Sequence, residues 1–470
     1  MDISKITSLF HTIRYLKLVQ VYYRIYYLFR NKLIGREPKR IEAPICNPIF
    51  WNGGIYYSNR YTHKNSFEFL NIKNRFSNKI DWNFDAHGKL WTYNLNYFDF
   101  LNQSYMPKKL GLKLIQDYID NEDSLIDGKD PYPTSLRLIN WVKFLSNNKI
   151  KEIKIDEVLF HHVRILSYNL EYHLLANHLL ENAFAILFGS YYFQNEKLYR
   201  ISKKLLISQL NEQILNDGAH YELSPMYHQI LLHRLLDCIN LIELNNTWKN
   251  DELLSFMKRK ASEMRSWLEN VTYKNGEIPM VSDTAFYISP STNELTKYAD
   301  NLKISSKTKN LNESGYRMII KWNFELFIDV GNIQPSYQPG HSHSDTFHFD
   351  LYKNRNPILV DMGISTYEKN KRRDKERSTS SHNTITINDK NQTDVWGGFR
   401  VGRRAKVIKL IECDHSISAI HDGYKKQGFL HKRIFNWKNK NTLLIKDKIQ
   451  RSTENKAVAS FHFHSSIDKP

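Results

Sequence analysis

Apolar residues recur at helical spacing from about residue 95 to residue 285. Leu136, Ile139 and Val142, for example, fall three residues apart and would line one face of a helix. Glycine and proline are sparse in this stretch, and its prolines stand where helices would begin or end. The pattern predicts a domain of successive antiparallel helices.

The chain changes character after a polar stretch. Residues 289–314 are rich in Ser, Thr, Asn and Lys, which is typical of a linker. Short runs of β-branched and aromatic residues follow, and the clearest alternates apolar and polar side chains over residues 346–352, which predicts a strand with one buried face. The other predicted strands are 318–322, 325–330, 383–388 and 457–464. The second domain is therefore predicted to be a β-sandwich.

The first thirty residues are apolar and aromatic, but basic residues interrupt them. The interrupting residues are Lys5, Arg14, Lys17, Arg24 and Arg30, so neither a signal-peptide core nor a membrane span of about 20 apolar residues is present. The segment predicts a basic amphipathic helix. Such a helix either packs on the body of the protein, the more common outcome, or lies on an anionic membrane.

Composition narrows the class of protein. The chain has 470 residues, 13% of them aromatic, which excludes a disordered chain and leads us to expect two domains. Its 67 Lys and Arg against 49 Asp and Glu give a net charge of +18, which indicates a polyanionic partner such as nucleic acid, an anionic membrane or an acidic polysaccharide. Three distant cysteines exclude a disulfide framework.

The densest group of polar residues lies just before the alternating strand, at residues 340–345. It contains His341 and His343, and Asp361 and His382 follow at later strand ends. Histidine and aspartate on neighbouring strand ends suit zinc, which takes nitrogen and oxygen ligands. The alternative is that these are polar residues of turns and strand caps, which an isolated pair of histidines would favour.

The helical region holds two further candidates. Asn177 and His178 interrupt an apolar helical pattern, where they are either a satisfied buried pair or functional residues. Residues 217–228 combine a turn with a helix start, in which Pro225 suits the first helical position and places Tyr227 in the first turn.

Taken in order, these motifs resemble the heparinase II/III family of polysaccharide lyases, whose relatives include alginate lyases. The resemblance runs from about residue 91 to residue 404. The motifs are SLRLINWVKFL (135–145), NLEYHLLANHLLENAFAIL (169–187), DGAHYELSPMYH (217–228), PGHSHSDTFHFDLY (339–352), PILVDMG (357–363) and STSSHNTITIND (378–389).

The resemblance implies an α+β multidomain fold in which an incomplete (α/α) toroid precedes an antiparallel β-sandwich, with the active-site groove between them. We expect a basic amphipathic segment at residues 1–60, the toroid at 61–300 and the sandwich at 315–470. Because the chain reaches Pro470 soon after a strand-like run, we expect a sandwich that is smaller than usual or shortened.

The resemblance also implies a mechanism, β-elimination at a uronic acid. Asn177 and His178 match the residues that neutralise the substrate carboxylate. Tyr227 matches the tyrosine that protonates the leaving oxygen, and His341 matches the histidine across the groove, which suits a general base. Tyr367 is the expected second tyrosine of the site.

The remaining site predictions concern a metal and the substrate. His343, Asp361 and His382 match the family's metal ligands, which implies a largely structural Zn²⁺. The expected substrate contacts are Arg137, Glu222, His228 and Arg400. Other candidate arginines are Arg372, Arg373, Arg403 and Arg404, although the charged run at 368–377 is more typical of a solvated loop.

The predicted partner is an acidic polysaccharide, with peripheral membrane contact through the N-terminal helix and no nucleic acid, since no recognisable nucleic-acid-binding module accompanies the charge. The N-terminus looks like that of relatives associated with bacterial capsule or O-antigen metabolism. We therefore expect a cytoplasmic or inner-membrane-associated protein, with a periplasmic location left open. A catalytically idle glycan-binding or assembly factor is the main alternative function, and a zinc-dependent hydrolase is the next.

Overall fold

The computed structural model describes residues 3–44, 46, 48–57, 60–62, 64–248, 251–307, 309–450 and 456–468. For residues 3–5, 251 and 450 it describes the backbone alone. The end of the chain at Pro470 lies outside the described residues. Cys46, Cys238 and Cys413 are free thiols, as their spacing predicts.

The chain begins with two helices and a small antiparallel sheet. The sheet has the order β1–β2–β3 and was not expected from the helical spacing of the predicted toroid segment. These elements are α1 (Ile3–Ile13), α2 (Leu18–Leu33), β1 (Tyr61–Thr62), β2 (Ser66–Phe69) and β3 (Ile72–Arg75).

Nine helices follow in the described part of the chain and build the predicted helical domain. They are α3 (Lys89–Tyr97), α4 (Lys108–Asp120), α5 (Pro131–Asn147), α6 (Ile153–Tyr168), α7 (Ala176–Tyr192), α8 (Glu196–Gln213), α9 (Pro225–Leu244), α10 (Asp251–Val271) and α11 (Thr292–Asn301). Short connections make α5 and α6, α7 and α8, and α9 and α10 antiparallel pairs around one apolar core, the arrangement of an incomplete α/α toroid.

This alternation fixes where the functional residues collect. Because each pair runs out and back, α5, α7 and α9 all begin at the same end of the helical domain. Their first turns carry Tyr132, Asn177 and Tyr227, which line one cavity.

The remaining elements form the predicted antiparallel sandwich. They are β4 (Tyr316–Lys321), β5 (Phe324–Asp329), β6 (Phe349–Lys353), β7 (Asn356–Leu359), α12 (Lys371–Glu376), β8 (Ile385–Ile387), β9 (Val395–Trp396), β10 (Arg400–Val401), β11 (Val407–Cys413), β12 (Ser416–His421), β13 (Leu430–Asn439), β14 (Thr442–Gln450) and β15 (Ala457–Ala459). One four-stranded sheet has the order β4–β5–β6–β7 and another the order β11–β12–β13–β14. Leu326 and Phe349 of the first sheet pack against Phe435 and Trp437 of the second.

Two local predictions need correction. The predicted linker at 289–314 contains helix α11, which begins with a capping box at Ser291 and Glu294. The predicted strand at 346–352 begins later, at Phe349, and both of its faces are buried. Its sheet lies between the second sheet and the helical domain, so Phe349 enters the sandwich core while Tyr352 packs on helical residues.

The N-terminal segment ties both domains together by packing. In α2, the Gln20 side chain is fully buried and donates to the Leu174 carbonyl, and Tyr23 stacks on Tyr172 with ring centroids 4.5 Å apart. In α1, the Thr12 hydroxyl donates to the Val401 carbonyl of β10. None of the described helices is long and apolar enough to cross a membrane.

The stability of the sandwich should depend on Arg433. This buried arginine pairs with Asp447 at 2.7 and 2.9 Å and donates to the carbonyls of Phe347 and Asn383. Arg433→Ala removes the partner of both carbonyls and leaves Asp447 with His431 as its remaining contact. We therefore expect a loss of about 3–5 kcal/mol in the free energy of unfolding, measured by denaturant titration.

The matched control is Arg200→Ala, which breaks an exposed pair with Glu196 one helical turn away. We expect that change to cost at most about 0.5 kcal/mol. Equal effects of the two variants would contradict a clamping role for Arg433.

Candidate functional site

A cavity of about 360 Å³ lies between the start of the helices and the loops of the sandwich. All five residues predicted to be catalytic line it, together with Glu222: they are Asn177, His178, Tyr227, His341 and Tyr367. The helical domain supplies the first three, and the sandwich domain supplies the last two. The structure thus brings together residues as far as 190 positions apart in the sequence (367 − 177 = 190).

Asn177 and His178 stand in the first turn of α7, after a bend that ordinary residues rarely adopt. Leu175 and Ala176 have φ angles of 63° and 54°. Such left-handed conformations are unfavourable for residues with a side chain, and they persist where the surrounding structure enforces them, often at functional sites. The bend directs the start of α7 at the cavity.

His178 is oriented by a buried carboxylate. Its Nδ1 lies 3.0 Å from Oε1 of Glu171, whose other oxygen accepts from the Asn182 amide at 2.9 Å. Burial alone would lower the pKa of His178, but the charge and hydrogen bond of Glu171 outweigh it and raise the pKa above its ordinary value. The imidazole therefore favours its cationic form.

Tyr227 is placed by the helix start that the sequence predicts. Ser224 caps α9 by accepting from the Tyr227 backbone N–H at 3.4 Å, and Pro225 takes the first helical position. The phenol ring packs on the imidazole of His341 with centroids 4.0 Å apart, and its hydroxyl shares a hydrogen bond with Tyr367. Burial raises the pKa of Tyr227 well above its usual value, so the phenol keeps its proton.

His341 is held by Asp283, a fully buried carboxylate of the loop between α10 and α11. Its Nδ1 lies 2.9 Å from Asp283 Oδ2, and the other carboxylate oxygen lies 2.9 Å from Nε2 of His343. Arg373 donates to both oxygens at 2.6 Å. Burial would raise the pKa of Asp283, but Arg373 and the two histidines hold it well below its usual range.

The ionised Asp283 selects the tautomer of the neutral His341 ring. Because a carboxylate can only accept hydrogen bonds, Nδ1 must carry the proton in this contact, which leaves Nε2 as the acceptor of the neutral ring. Nε2 lies 3.6 Å from Oε2 of Glu222 at the cavity wall.

Several predicted substrate contacts do not reach the cavity. Arg137 is 1% exposed and donates to the carbonyls of Asn96 and Gly128, so it ties backbone segments together. His228 is fully buried, accepting from the His220 N–H. Arg400 stacks on Trp396 on the surface. Of the predicted substrate contacts, the structure places Glu222 alone in the cavity lining.

The other candidate arginines are also bound within the protein or exposed. Residues 368–372, 374 and 375 are exposed, as expected of a solvated run. The run contains helix α12 instead of being a loop throughout, and Arg373 within it is buried against Asp283. Arg403 pairs with Asp394, Arg404 donates to the Ser336 carbonyl, and Arg372 is largely exposed.

The predicted metal ligands lie in two overlapping groups. His382 lies with His343 and Asp345 in one, and with His348 and Asp361 in the other, the potential ligand atoms of each group falling within 4.8 Å of one another. His343 Nδ1 and His382 Nε2 are buried and have no hydrogen-bond partner among the described residues. The opposite nitrogens of these rings are held by Asp283 and Asp361, at 2.9 and 2.8 Å.

This pattern fits a metal site. Histidine ligands commonly bind a metal through one nitrogen while a carboxylate orients the other. By this criterion the two free nitrogens and the Asp345 carboxylate face the ion position, and Asp361 belongs to the outer shell of the site.

Sequence reasoning missed part of the cavity wall. Arg234 lines the cavity and follows Tyr227 by two turns of α9. Glu181 is buried behind it and follows Asn177 by one turn of α7, so helical spacing could have indicated both. Arg234 Nε lies 3.6 Å from Oε2 of Glu181, and burial raises the pKa of Glu181 to about 7. Nothing in the sequence marks Asp283, because its partners come from distant loops.

Comparison with known proteins agrees with this architecture. The model of the heparinase II/III N-terminus matches residues 135–312, and that of the heparinase II/III-like C-terminal domain matches residues 303–469. A heparin-sulfate lyase from Bacteroides stercoris is 25% identical over 249 residues. The aligned region is 47% of this chain and 37% of that lyase, so the match spans well under half of the relative.

Solved structures share the fold. The crystal structure of a heparinase III superposes with a TM-score of 0.62 at 19% identity, covering 95% of this chain and 79% of that one. A second structure, the heparinase III BT4657 gene product, has a TM-score of 0.53 at 16% identity over 80% of this chain and 68% of its own. With both domain models matched in order across residues 135–469, the chain belongs to the heparinase II/III-like family.

Proposed function

We propose that this protein is a polysaccharide lyase, a carbon–oxygen lyase that cleaves an acidic polysaccharide by β-elimination beside a uronic acid. One observation carries the proposal: Tyr227 lies against His341 in the same cavity that receives Asn177 and His178. The heparin-sulfate lyase relative supports the same class of reaction.

The chemistry requires that the proton at C5 of the uronic acid be removed while the bond from C4 to its oxygen breaks. The C5 proton is weakly acidic as long as the neighbouring carboxylate keeps its charge. His178, whose pKa is raised, supplies positive charge, and Asn177 supplies an amide donor. Both would stabilise the negative charge that develops on the carboxylate group.

The contacts of the His341 ring and the burial of the Tyr227 ring indicate which residue is the base and which is the acid. Neutral His341 presents Nε2 as the base that takes the C5 proton, because Asp283 holds the proton at Nδ1. Tyr227 keeps its phenolic proton at neutral pH and delivers it to the leaving oxygen at C4.

We also propose a Zn²⁺ held by His343, His382 and Asp345, with Asp361 orienting His382. The unpartnered nitrogens of the two histidines support this assignment, and the nitrogen and oxygen donors suit zinc. The ion would supply a structural link between sandwich loops beside His341.

We further propose that the exposed face of α1 and α2 contacts an anionic membrane. Leu18 and Leu33 are 88% and 79% exposed, and Phe10, Tyr22 and Phe29 are exposed beside them. Residues 3–36 contain seven Lys and Arg and no Asp or Glu, which complements an anionic lipid surface. This would place the protein at the cytoplasmic face of a bacterial inner membrane, where it would act on a capsule or O-antigen polymer.

The elimination proposal predicts a defined loss of catalytic activity in Tyr227→Phe. Phenylalanine keeps the ring packing on His341 and removes only the proton donor, so kcat should fall about 10²–10⁴-fold with little change in KM. The assay follows ultraviolet absorbance of the unsaturated product with a panel of uronic-acid polymers.

Tyr105→Phe is the control, since Tyr105 is 78% exposed and lies outside the cavity lining. Absence of absorbance across the panel would oppose the lyase proposal. Tight polymer binding that persists without cleavage would favour the glycan-binding alternative.

The metal assignment predicts about one zinc per chain in purified protein, lost in His382→Ala and in Asp345→Asn. Asp361→Asn should keep the zinc but bind it about 10–100-fold more weakly, as expected for an outer-shell partner. Elemental analysis and competition with a chelating dye measure both quantities.

The control for the metal is His415→Ala, which removes an exposed histidine of the same sandwich. Full zinc content in His382→Ala would refute the site. Loss of zinc from Asp361→Asn with retention in Asp345→Asn would restore Asp361 as the ligand.

The membrane proposal predicts co-sedimentation with vesicles containing phosphatidylglycerol and much weaker binding to neutral phosphatidylcholine vesicles. The double variant Leu18→Glu and Phe29→Glu should abolish binding, because it adds negative charge to the apolar face. Ile153→Glu, which alters an equally exposed residue of the helical domain, should have no effect.

Unchanged sedimentation of the double variant would overturn the proposal. Self-association that the same variant abolishes, without vesicle binding by the unmodified protein, would assign the face to a second copy of the chain.

A further inference from the structure

A second groove lies beside the cavity, between α2 and the same end of the helical domain. Its volume is about 660 Å³. Arg24, Tyr27 and Asn31 of α2 form one wall, and the segment before α5 and the end of α6 form the other. The groove is therefore created by the N-terminal helix, which lies across the toroid near the residues that carry the proposed chemistry.

The groove has an excess of positive charge that the protein itself does not neutralise. Arg24 and Arg36 line it, and neither has a carboxylate within 4.0 Å among the described residues. The acids of the groove are already engaged: Glu37 pairs with Lys129 at 3.2 Å, and Asp130 with Lys89 at 3.0 Å. Arg24 donates through Nε to the His173 carbonyl at 3.3 Å, which leaves its two terminal nitrogens to bind an external anion. The Arg36 guanidinium has no bonded partner among the described residues and is available as well.

The groove and the cavity share a wall. Asp130 lines the groove, and its carboxylate accepts from Lys89 and from the Tyr93 hydroxyl at 2.5 Å, both of which line the cavity. His173 lines the groove as well, in the short segment that connects Glu171 to Asn177. A chain leaving the cavity over this wall would enter the groove.

The small volume of the cavity gives a reason to expect a second binding region. The cavity, at about 360 Å³, is near the lower limit for pockets that bind a small molecule. A polymer must continue beyond it, and a region that binds the next sugars would hold the cleaved residue in register.

We infer that this groove is an extended subsite in which Arg24 and Arg36 bind carboxylate or sulfate groups of an acidic polysaccharide that also occupies the cavity. The inference rests on the proposed function for the identity of the polymer. Guanidinium groups suit this role because they bind carboxylate and sulfate through paired hydrogen bonds. The N-terminal helix thus acquires a role in substrate recognition on its inner face.

The test measures affinity as a function of chain length without turnover. Tyr227→Phe protein is titrated by calorimetry with heparin oligosaccharides of four and of twelve sugars, which serve as the acidic probe. The readout is the ratio of the two affinities. Adding Arg24→Ala and Arg36→Ala should reduce that ratio about tenfold, the equivalent of about 1.4 kcal/mol, and should weaken the salt dependence for the longer probe.

The control in the same background is the double variant Lys32→Ala and Lys39→Ala. It removes the same charge from the same segment, but neither lysine lines the groove. The single variant Arg36→Ala tests the groove without a risk to folding, because no described residue bonds the Arg36 side chain. It should also lower the ratio of the affinities for the long and the short probe.

The outcomes separate the two proposals. A reduced ratio specific to the arginine variants supports the groove even if no polymer is cleaved, in which case only the lyase proposal fails. Equal ratios in the arginine and lysine variants, in a protein that does cleave polymer, would overturn the groove alone. Equal affinity of the unmodified background for both probes would also overturn it.

Discussion

The buried carboxylate of Asp283 is the interaction on which the arrangement of the site depends. It belongs to the helical domain, yet its four short contacts go to His341, His343 and Arg373 of the sandwich domain. A buried charge is tolerated only when it is paired and hydrogen-bonded, so the sandwich loops must meet it in one geometry. The same contact fixes the tautomer of the proposed base and orients His343, whose other nitrogen faces the proposed metal position.

On each side of the cavity a histidine is held by a carboxylate, but the two histidines are suited to different roles. His178 and His341 each contact a carboxylate through Nδ1, but the carboxylates differ in what else they hold. The other oxygen of Glu171 accepts a hydrogen bond from the neutral Asn182 amide. The charge of Glu171 raises the pKa of His178, which favours the cationic form of that ring. Asp283 is paired with Arg373 through both of its oxygens and holds the Nδ1 side of His341, which directs Nε2 toward the cavity. One ring is suited to stabilise negative charge, and the other to accept a proton.

Local signals in the sequence predict much of this structure. The helix start that carries Tyr227 is specified by neighbouring residues, since the capping Ser224 and Pro225 act within one turn. The start that carries Asn177 has no side-chain cap and follows the bend at Leu175 and Ala176, which the surrounding structure enforces. Features set by distant packing could not be predicted in that way. Both faces of β6 are buried because the second sheet covers one and the helical domain covers the other. Arg373 lies in a charged run that is mostly exposed, and the contact with the distant Asp283 explains its burial.

Glu222 lies between the two sides of the cavity. Its carboxylate is 2% exposed, with Oε1 3.5 Å from the Asn177 backbone N–H and Oε2 3.6 Å from His341 Nε2. Burial raises the pKa of Glu222 above its ordinary value. In the proposed reaction, an entering uronate would bring a second negative charge to His178 and His341 and would compete with Glu222 for them. Repulsion between the two carboxylates then favours protonation of Glu222, which would leave His178 to the substrate and His341 Nε2 to the C5 proton.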